Sequence, residues 1–219
     1  VAILFAIMIS ALMMNINLQP YRTLFLGCGM LLFIGVLDDF HDISPYTRII
    51  TQLVVAFVMV FHGRMYFHNF GYFVSSHHLL GVNPVIGVII TIIAVLALIN
   101  AMNMLDGQDG LLGGVAAIQL GWFAFLTHMG HMHSSYHIIL LILGALLGFL
   151  VFNLRIPGRK QAIIFMGDAG SVFLGYIFGS LLLFTVLNND ISVWSWLTVF
   201  GYFFADTSVT QIMRIILVR

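Results

Sequence analysis

The sequence predicts an all-α, polytopic integral membrane protein with about eight transmembrane helices in this chain. Of its 219 residues, 61% are hydrophobic and only 7% are charged, and the mean hydropathy is +1.09. A water-soluble domain of this size would need far more polar surface. Apolar runs of about 15 to 20 residues also recur along the whole chain, as expected for helices that cross a bilayer.

Eight candidate spans share this apolar character, and turn signals such as NINLQP, LGVNP, IPGRK and LNND separate them. In chain order the spans cover residues 1–16, 23–37, 48–62, 84–102, 110–128, 136–152, 170–187 and 192–206. Several are shorter than the roughly 20 residues that cross the hydrocarbon core, so we expect them to extend into flanking polar residues. No repeat or linker divides the chain, so residues 1–219 are predicted to form a single transmembrane domain. Because the chain starts and stops close to apolar helices, we expect polar sequence to be missing at both ends.

Composition excludes two other classes of protein. The formal net charge is zero and no basic run could follow a nucleic-acid backbone, so no nucleic-acid partner is expected. The single Cys28 rules out an internal disulfide framework.

Basic residues predict the orientation in the membrane, since cytoplasmic loops carry more Lys and Arg than outer loops. If the first span runs outward, the connections at 38–47, 103–110, 153–169 and 206–219 face the cytoplasm. These connections and their borders hold six basic residues, whereas the other side holds only Arg22 and Arg64. These four connections are therefore predicted to face the cytoplasm.

The same orientation gathers the acidic residues on one membrane face. The chain has eight Asp and no Glu, and only Asp190 falls on the outer side. The seven others are Asp38, Asp39, Asp42, Asp106, Asp109, Asp168 and Asp206. Short, rigid carboxylates from four separate connections are suited to holding a hard divalent cation, especially Mg²⁺.

The segment LDDFHD, at 37–42, follows directly on an apolar helix. If it is helical, Asp38 and Asp42 stack one turn apart, and Asp39 pairs with Asp42. Carboxylates this close repel one another unless a cation or a proton relieves them. The alternative is a helix end solvated at the membrane interface.

The segment NAMNMLDGQDG, at 100–110, spaces four polar residues at intervals of three. Gly107 and Gly110 are expected to end the helix, so that the carboxylates of Asp106 and Asp109 turn toward a ligand. An ordinary helix-ending loop is the alternative. The four residues are Asn100, Asn103, Asp106 and Asp109.

The segment FMGDAGS, at 165–171, places Asp168 and Ser171 at the start of an apolar span. The free N–H groups of a helix N-terminus can bind phosphate oxygens, although both residues could instead be N-caps. Three basic residues precede this segment and either bind phosphate or set the topology and contact anionic lipid. They are Arg155, Arg159 and Lys160.

Histidines show the opposite distribution, because only His41 falls on the cytoplasmic side. The set His128, His131, His133 and His137 could bind a transition metal. We favour interfacial polar groups as their role, and we place them outside the predicted chemistry.

The three Asp motifs, in this order between transmembrane helices, resemble those of the polyprenyl-phosphate N-acetylhexosamine-1-phosphate transferases. The residues that carry the likeness are LDDFHDIS, NAMNMLDGQDGLLGG and FMGDAGS, and the likeness runs from about residue 20 to 215. It favours the bacterial branch that uses UDP-N-acetylglucosamine over the muramoyl-pentapeptide branch. The resemblance implies transfer of N-acetylglucosamine 1-phosphate to undecaprenyl phosphate at the inner membrane, with release of UMP. Such a reaction would start a lipid-linked glycan of the cell envelope, such as O-antigen or enterobacterial common antigen.

The resemblance also implies roles for individual residues. Asp38 and Asp39 would handle the lipid phosphate, one of them as base, and Asp42 would support them. Asp168 would be the leading ligand of Mg²⁺, for which Mn²⁺ is the alternative ion, with Asp38 and Asp39 as further ligands. Asn103 would position the nucleotide and the diphosphate together with Asp106 and Asp109, which join Asp38 and Asp39 as catalytic residues. Arg48 would contact the diphosphate. The other substrate-binding candidates are Asn100, Arg159 and Ser171.

Departures from the family pattern leave some alternatives open. The His-rich cytoplasmic motif and the first helix of the family are absent from this chain, so the identity of the sugar has the weakest support. A muramoyl-pentapeptide-type transferase, a Mg²⁺-dependent membrane prenyltransferase and, outside enzymes, an ion or metal transporter are the competing hypotheses. A homodimer in the lipid bilayer is one option for the assembly.

Overall fold

The computed structural model describes residues 1–41, 43–72, 79–129, 133–158 and 161–188, together with single helical residues at 197, 201, 205 and 209. The eighth span predicted from the sequence, 192–206, is therefore not described as an element. Other sequence-based predictions also fall outside the described residues. They concern Asp42, His131, Arg159, Lys160, Asp190 and Asp206, and the side chains of Asp39 and His133.

Seven α-helices form the described part of the chain. They are α1 (Ala2–Met13), α2 (Arg22–His41), α3 (Pro45–Phe57), α4 (Pro84–Leu105), α5 (Leu111–Met129), α6 (His133–Asn153) and α7 (Gly167–Leu187). A 3₁₀ turn (Gln19–Tyr21) precedes α2, and a π-helical turn (Val58–His62) continues α3.

Six helical segments in the described residues are long and apolar enough to cross a membrane. They are Gln19–Asp38, Pro45–His62, Pro84–Leu105, Leu111–Met129, Ser135–Asn153 and Gly167–Leu187. The all-α, polytopic membrane class is confirmed. The count differs from the predicted eight, because α1 has only 12 residues and the last span lies outside the described ranges.

The spans extend into polar flanks, as expected from their length. The third span begins at Pro45 rather than residue 48, because the Ser44 hydroxyl accepts the backbone N–H of Thr47 at 3.3 Å. The side chain of Asn83 caps α4 in the same way, accepting the N–H of Val85 at 3.0 Å. Each cap satisfies an N–H that has no partner within its own helix.

A small antiparallel hairpin departs from the purely helical prediction. Strands β1 (Asn69–Tyr72) and β2 (Leu79–Gly81) pair with Asn69 opposite Gly81 and Tyr72 opposite Leu79. Neither NFGY nor LLG shows the alternation of polar and apolar residues that identifies a strand. The hairpin lies in the connection between the π-helical turn and α4.

Helix α7 lies at the centre of the described bundle and packs against both α2 and α4. Of the most apolar stretch of α7, 72% is buried inside the bundle, whereas the corresponding stretches of the other five spans are 28–44% buried. Phe173, Phe178 and Leu181 are fully buried in this core. The Tyr176 hydroxyl donates to the carbonyl of Thr23 at 3.2 Å, which fixes α7 against α2.

Helices α2 and α7 approach each other closely at Gly35. A Cβ at this position would lie 2.5 Å from Cβ of Ala169, so Gly35→Ala must push the helices apart. We expect a cost of about 1–3 kcal/mol in stability, as for other overpacked cores, measured as a lower midpoint of thermal unfolding in detergent.

The matched control is Gly29→Ala in the same helix, where a Cβ would meet no atom within 4 Å. Because alanine favours helix over glycine, this change should be neutral or stabilising. Equal losses in the two variants would contradict the close packing at Gly35.

Candidate active site

One end of the helix bundle contains a cavity of about 200 Å³ between α2, α3, α4 and α7. Residues from all three Asp motifs share its polar wall, together with three residues of α3. These polar residues are Asp38, Arg48, Thr51, Gln52, Asn100, Asn103 and Asp168. Apolar side chains line the rest of the cavity, among them Leu31, Ile34, Ile49 and Val172.

Arg48 joins two of the motifs by a two-pronged ion pair. Its Nη2 lies 2.7 Å from Oδ2 of Asp38, and its Nη1 donates to Oδ2 of Asp168 at 2.7 Å. Asp38 is only 6% exposed, and its Oδ1 accepts the N–H of Ile43 at 2.8 Å. Asp168 is 53% exposed, so it can still bind a ligand. The Nε–H of Arg48 is buried without an acceptor among the described residues, which leaves one donor for an anion.

Asn103 connects α4 to the start of α7. Its Nδ2 donates to Oγ of Ser171 at 2.9 Å and lies 3.4 Å from Oδ1 of Asp168. The Ser171 hydroxyl in turn donates to the carbonyls of Gly167 and Asp168, at 3.3 and 3.1 Å. Helix α7 begins at Gly167 with Met166 as its N-cap. The alternative that Asp168 and Ser171 are N-caps is therefore wrong, and Ser171 instead orients Asn103.

Asn100 and Gln52 form a second amide contact in the cavity. Nδ2 of Asn100 donates to Oε1 of Gln52 at 3.0 Å and to the carbonyl of Leu96 at 2.7 Å. Gln52 is buried although it lies in a membrane-spanning helix. Sequence reasoning passed over it, yet a lone amide within the apolar run ITQLVVAF is the signal that could have identified it.

The loop after α4 carries Asp106 and Asp109, and α4 ends at Leu105 as the glycines predict. Gly110 has a φ of +79°, which allows the chain to turn into α5. Asp109 accepts from Nε of Arg155 at 2.9 Å and from the N–H of Ala162 at 3.4 Å. Arg155 therefore pairs with an acidic loop residue, a role that differs from both sequence-based alternatives.

Asp106 is the carboxylate whose protonation the site perturbs. Burial, followed by the negative charges of Asp168 and Asp109, raises the pKa of Asp106 to about 6. No neighbouring donor or cation among the described residues offsets these effects. A cation bound beside the three carboxylates would lower this pKa again.

Asn153 is a second residue that sequence reasoning missed. It is 4% exposed at the end of α6. Its Oδ1 accepts the N–H of Gly110 at 2.9 Å, and its Nδ2 donates to the carbonyl of Ile164 at 2.8 Å. One side chain thus fixes the Asp106–Asp109 loop to the segment that leads into Asp168. A polar residue that ends an apolar helix looks like an ordinary interface residue, so only the tertiary contacts show this role.

Replacing Asn153 with Leu should destabilise the protein by about 2–4 kcal/mol. The change leaves the N–H of Gly110 buried without this partner, which costs about 1–3 kcal/mol, and it also removes the part-buried hydrogen bond to the carbonyl of Ile164, worth about 1 kcal/mol. Thermal unfolding in detergent measures the loss. The matched control is Asn83→Leu, which removes one exposed N-cap bond and should cost about 1 kcal/mol. Equal losses would contradict the two-loop contact of Asn153.

The charges of the site decide whether it fits a metal ion. No group of three or more His, Cys or Asp residues is arranged to hold a metal ion within the described ranges, which also applies to the described histidines. Four carboxylates, however, face two guanidinium groups, which leaves a formal balance of two negative charges. Because Mg²⁺ commonly takes one or two carboxylates and completes its shell with substrate phosphates and water, the exposed Asp168 fits such an ion.

Comparison with known proteins identifies the family. Residues 21–186 match the family model described as glycosyl transferase family 4. The chain belongs to this family. All three Asp motifs and Arg48 lie inside the matched region, as does the whole cavity.

Three relatives of the chain carry the same name. The undecaprenyl-phosphate alpha-N-acetylglucosaminyl 1-phosphate transferase of Escherichia coli (strain K12) is 38% identical over 158 residues, which are 72% of this chain and 42% of that protein. The protein of the same name from Haemophilus influenzae is 38% identical over 72% of this chain and 43% of its own length. The one from Salmonella typhi is 35% identical over 175 residues, or 80% of this chain and 47% of that protein. The matched part of the chain thus covers less than half the length of each of these relatives.

The family's predicted site residues meet in the fold wherever the structure describes them. Asp38, Arg48, Asn103 and Asp168 are joined by direct contacts. Asn100 lines the same cavity. Ser171 does not line it, but its hydroxyl accepts a hydrogen bond from Asn103. The loop residues Asp106 and Asp109 stand next to this group, since the charges of Asp109 and Asp168 both act on Asp106.

Proposed function

We propose that this protein transfers N-acetylglucosamine 1-phosphate from UDP-N-acetylglucosamine to undecaprenyl phosphate at the cytoplasmic face of the bacterial inner membrane. The names of the relatives support this substrate pair. The product, a lipid-linked sugar diphosphate, would start a glycan of the cell envelope.

The observation that carries the proposal is the two-sided cavity at the end of the bundle. Its polar wall holds Arg48 and Asp168, and apolar residues such as Ile34 and Ile49 face the same space. A lipid phosphate needs both surfaces, because its head is an anion and its tail is a hydrocarbon. A site for two water-soluble substrates would gain nothing from the apolar wall.

The reaction asks the protein mainly for positioning and charge neutralisation. An oxygen of the lipid phosphate attacks the phosphorus that carries the sugar. A new P–O bond forms, the bond between this phosphorus and the UMP oxygen breaks, and UMP leaves with the electron pair. Arg48 is placed to neutralise phosphate charge with its free Nε–H.

Asp38 acts as a positioning residue in this scheme. Both of its oxygens are engaged, one by Arg48 and one by the N–H of Ile43. Neither oxygen is therefore readily available to the attacking phosphate, and a phosphate monoester already carries nucleophilic oxygens near neutral pH. We therefore assign Asp38 to holding Arg48, and the role of base, where one is needed, stays with Asp39.

Mg²⁺, held by Asp168 with Asp106 and Asp109 nearby, would supply charge neutralisation for the diphosphate and the leaving UMP. Among the described carboxylates of the cavity, Asp168 keeps the most exposed surface, whereas Asp38 is enclosed. Of the three Mg²⁺ ligands that the family resemblance implies, we therefore propose Asp168 among those whose side chains the structure describes. Asn103, on the neighbouring helix α4, orients the carboxylate of Asp168.

A direct assay tests the proposal. The full-length protein is incubated with radiolabelled UDP-N-acetylglucosamine, undecaprenyl phosphate and Mg²⁺, and UMP and labelled lipid are measured. We expect both products in equal amounts, and neither after EDTA treatment. Parallel reactions with UDP-N-acetylmuramoyl-pentapeptide and with a prenyl diphosphate should give no product. Product in either parallel reaction, with none from UDP-N-acetylglucosamine, would overturn the proposal.

A further inference from the structure

A second cavity lies at the opposite end of α2 from the acidic residues. Arg22 begins α2, and Asp38 lies sixteen residues later, or about 24 Å along a helix. The cavity has a volume of about 510 Å³, and its described lining includes Arg22, His62 and Arg64 with the amide side chains of Asn17, Gln19 and Asn188. This volume falls within the usual range for small-molecule sites.

The backbone brings the two arginines to the same cavity. A Cβ on Gly63 would lie 2.9 Å from Cγ2 of Thr23, so the turn after the π-helix packs directly against the first turn of α2. Arg22 and Arg64 are the chain neighbours of these two residues. Arg64 has a φ of +52°, a conformation that non-glycine residues adopt rarely and that turns up at ligand sites.

The charge of this cavity is not balanced by the described residues. All ion pairs among them belong to the acidic end of the bundle, and none involves Arg22 or Arg64. The described lining contains no Asp. Two guanidinium groups with neighbouring amides are suited to an anion with several oxygens, such as a phosphate diester.

An apolar groove adjoins the cationic cavity and shares Arg64 with it. The groove has a volume of about 750 Å³ and runs between the π-helical turn and the start of α4. Its apolar lining includes Phe61, Val85, Val88 and Ile89. Arg64 therefore lies where the cationic cavity meets a hydrocarbon surface, which is the arrangement that an anionic amphiphile requires.

We propose that this composite site binds an anionic phospholipid. Its phosphate lies between Arg22 and Arg64, and an acyl chain lies in the groove beside Val88. The site is independent of the transfer reaction, and it ties the start of α2 to the end of the third span through the lipid.

Native mass spectrometry of the full-length protein tests the site, with phosphatidylglycerol and phosphatidylcholine as probes. We expect phosphatidylglycerol to bind to the wild type, and about 30-fold more weakly to the double variant Arg22→Gln, Arg64→Gln. Phosphatidylcholine should show no such difference. Equal affinity of phosphatidylglycerol for the two proteins would overturn the proposal.

Two further variants separate the parts of the site. The double variant Arg22→Lys, Arg64→Lys keeps both charges and should keep most of the binding, which guards against a folding defect in the Gln variant. Val88→Trp fills the groove and should weaken phosphatidylglycerol as well. Loss of binding in the Lys variant, wild-type binding in Val88→Trp, or displacement of the lipid by millimolar inorganic phosphate would each contradict a phospholipid site.

Discussion

Replacing Arg48 with Gln is expected to lower the rate of sugar 1-phosphate transfer by about 10²–10³-fold, the loss seen when one preorganised electrostatic contact is removed from an active site. Arg48 holds Asp38 and Asp168 at 2.7 Å each. Without it, two carboxylates repel each other and also repel both anionic substrates. Single-turnover release of UMP from the full-length protein measures the effect, and UMP release at the wild-type rate would contradict it.

Arg48→Lys is the matched control, because it keeps the positive charge but not the two-pronged geometry. A lysine ammonium is a compact point charge, whereas the planar guanidinium presents separate donors to the two carboxylates. We therefore expect an intermediate rate. Full activity in Arg48→Lys would show that charge alone is sufficient and that the bridge between Asp38 and Asp168 has no separate role. Thermal unfolding of both variants separates a catalytic loss from a folding loss.

Asp168→Asn is expected to lower the transfer rate by about 10³-fold or more and to raise the concentration of Mg²⁺ needed for half-maximal rate. The substitution keeps the size of the side chain, but it removes the charge that pairs with Arg48 and that fits a divalent cation. A titration of UMP release against Mg²⁺ measures both effects.

Asp190→Asn is the control for Asp168, because the sequence places this acid on the other side of the membrane. It should keep the wild-type rate and Mg²⁺ requirement. Asp106→Asn and Asp109→Asn are predicted from the sequence to be as harmful as Asp168→Asn. If Asp168→Asn left the Mg²⁺ requirement unchanged, Asp168 would not be a metal ligand, whatever the transfer rate of the variant.

The fold class, apart from the small hairpin, and many residues of the candidate site could be predicted from the sequence. Length and hydropathy identify a transmembrane helix, because the bilayer demands about 20 apolar residues with internally satisfied backbone groups. The helix ends were predicted less well, since local caps such as Ser44 move them by several residues. The hairpin at 69–81 was missed because its strands are too short to show a period.

The residues of the site were predicted better than their partners. Asp38, Asn103 and Asp168 stand out because carboxylates and amides are costly beside apolar helices. Arg48 was expected to contact the diphosphate, and nothing in the sequence indicated that its side chain links Asp38 to Asp168, which lies 120 residues after Arg48 in the chain. Gln52 and Asn153 were missed because an isolated amide carries no motif, and its importance depends on what it contacts.

By itself, the sequence determined the membrane class and contained three motifs of the family, and it predicted that the acids gather on one membrane face, because each of these depends on residue type and local spacing. Only the tertiary structure decided that Arg48 bridges Asp38 and Asp168, that Arg155 pairs with Asp109, and that Arg22 and Arg64 share a cavity. The physical reason is that such contacts depend on how closely helices pack. The approach at Gly35, which brings the end of α2 to the start of α7, is set by side-chain volume between helices far apart in the chain.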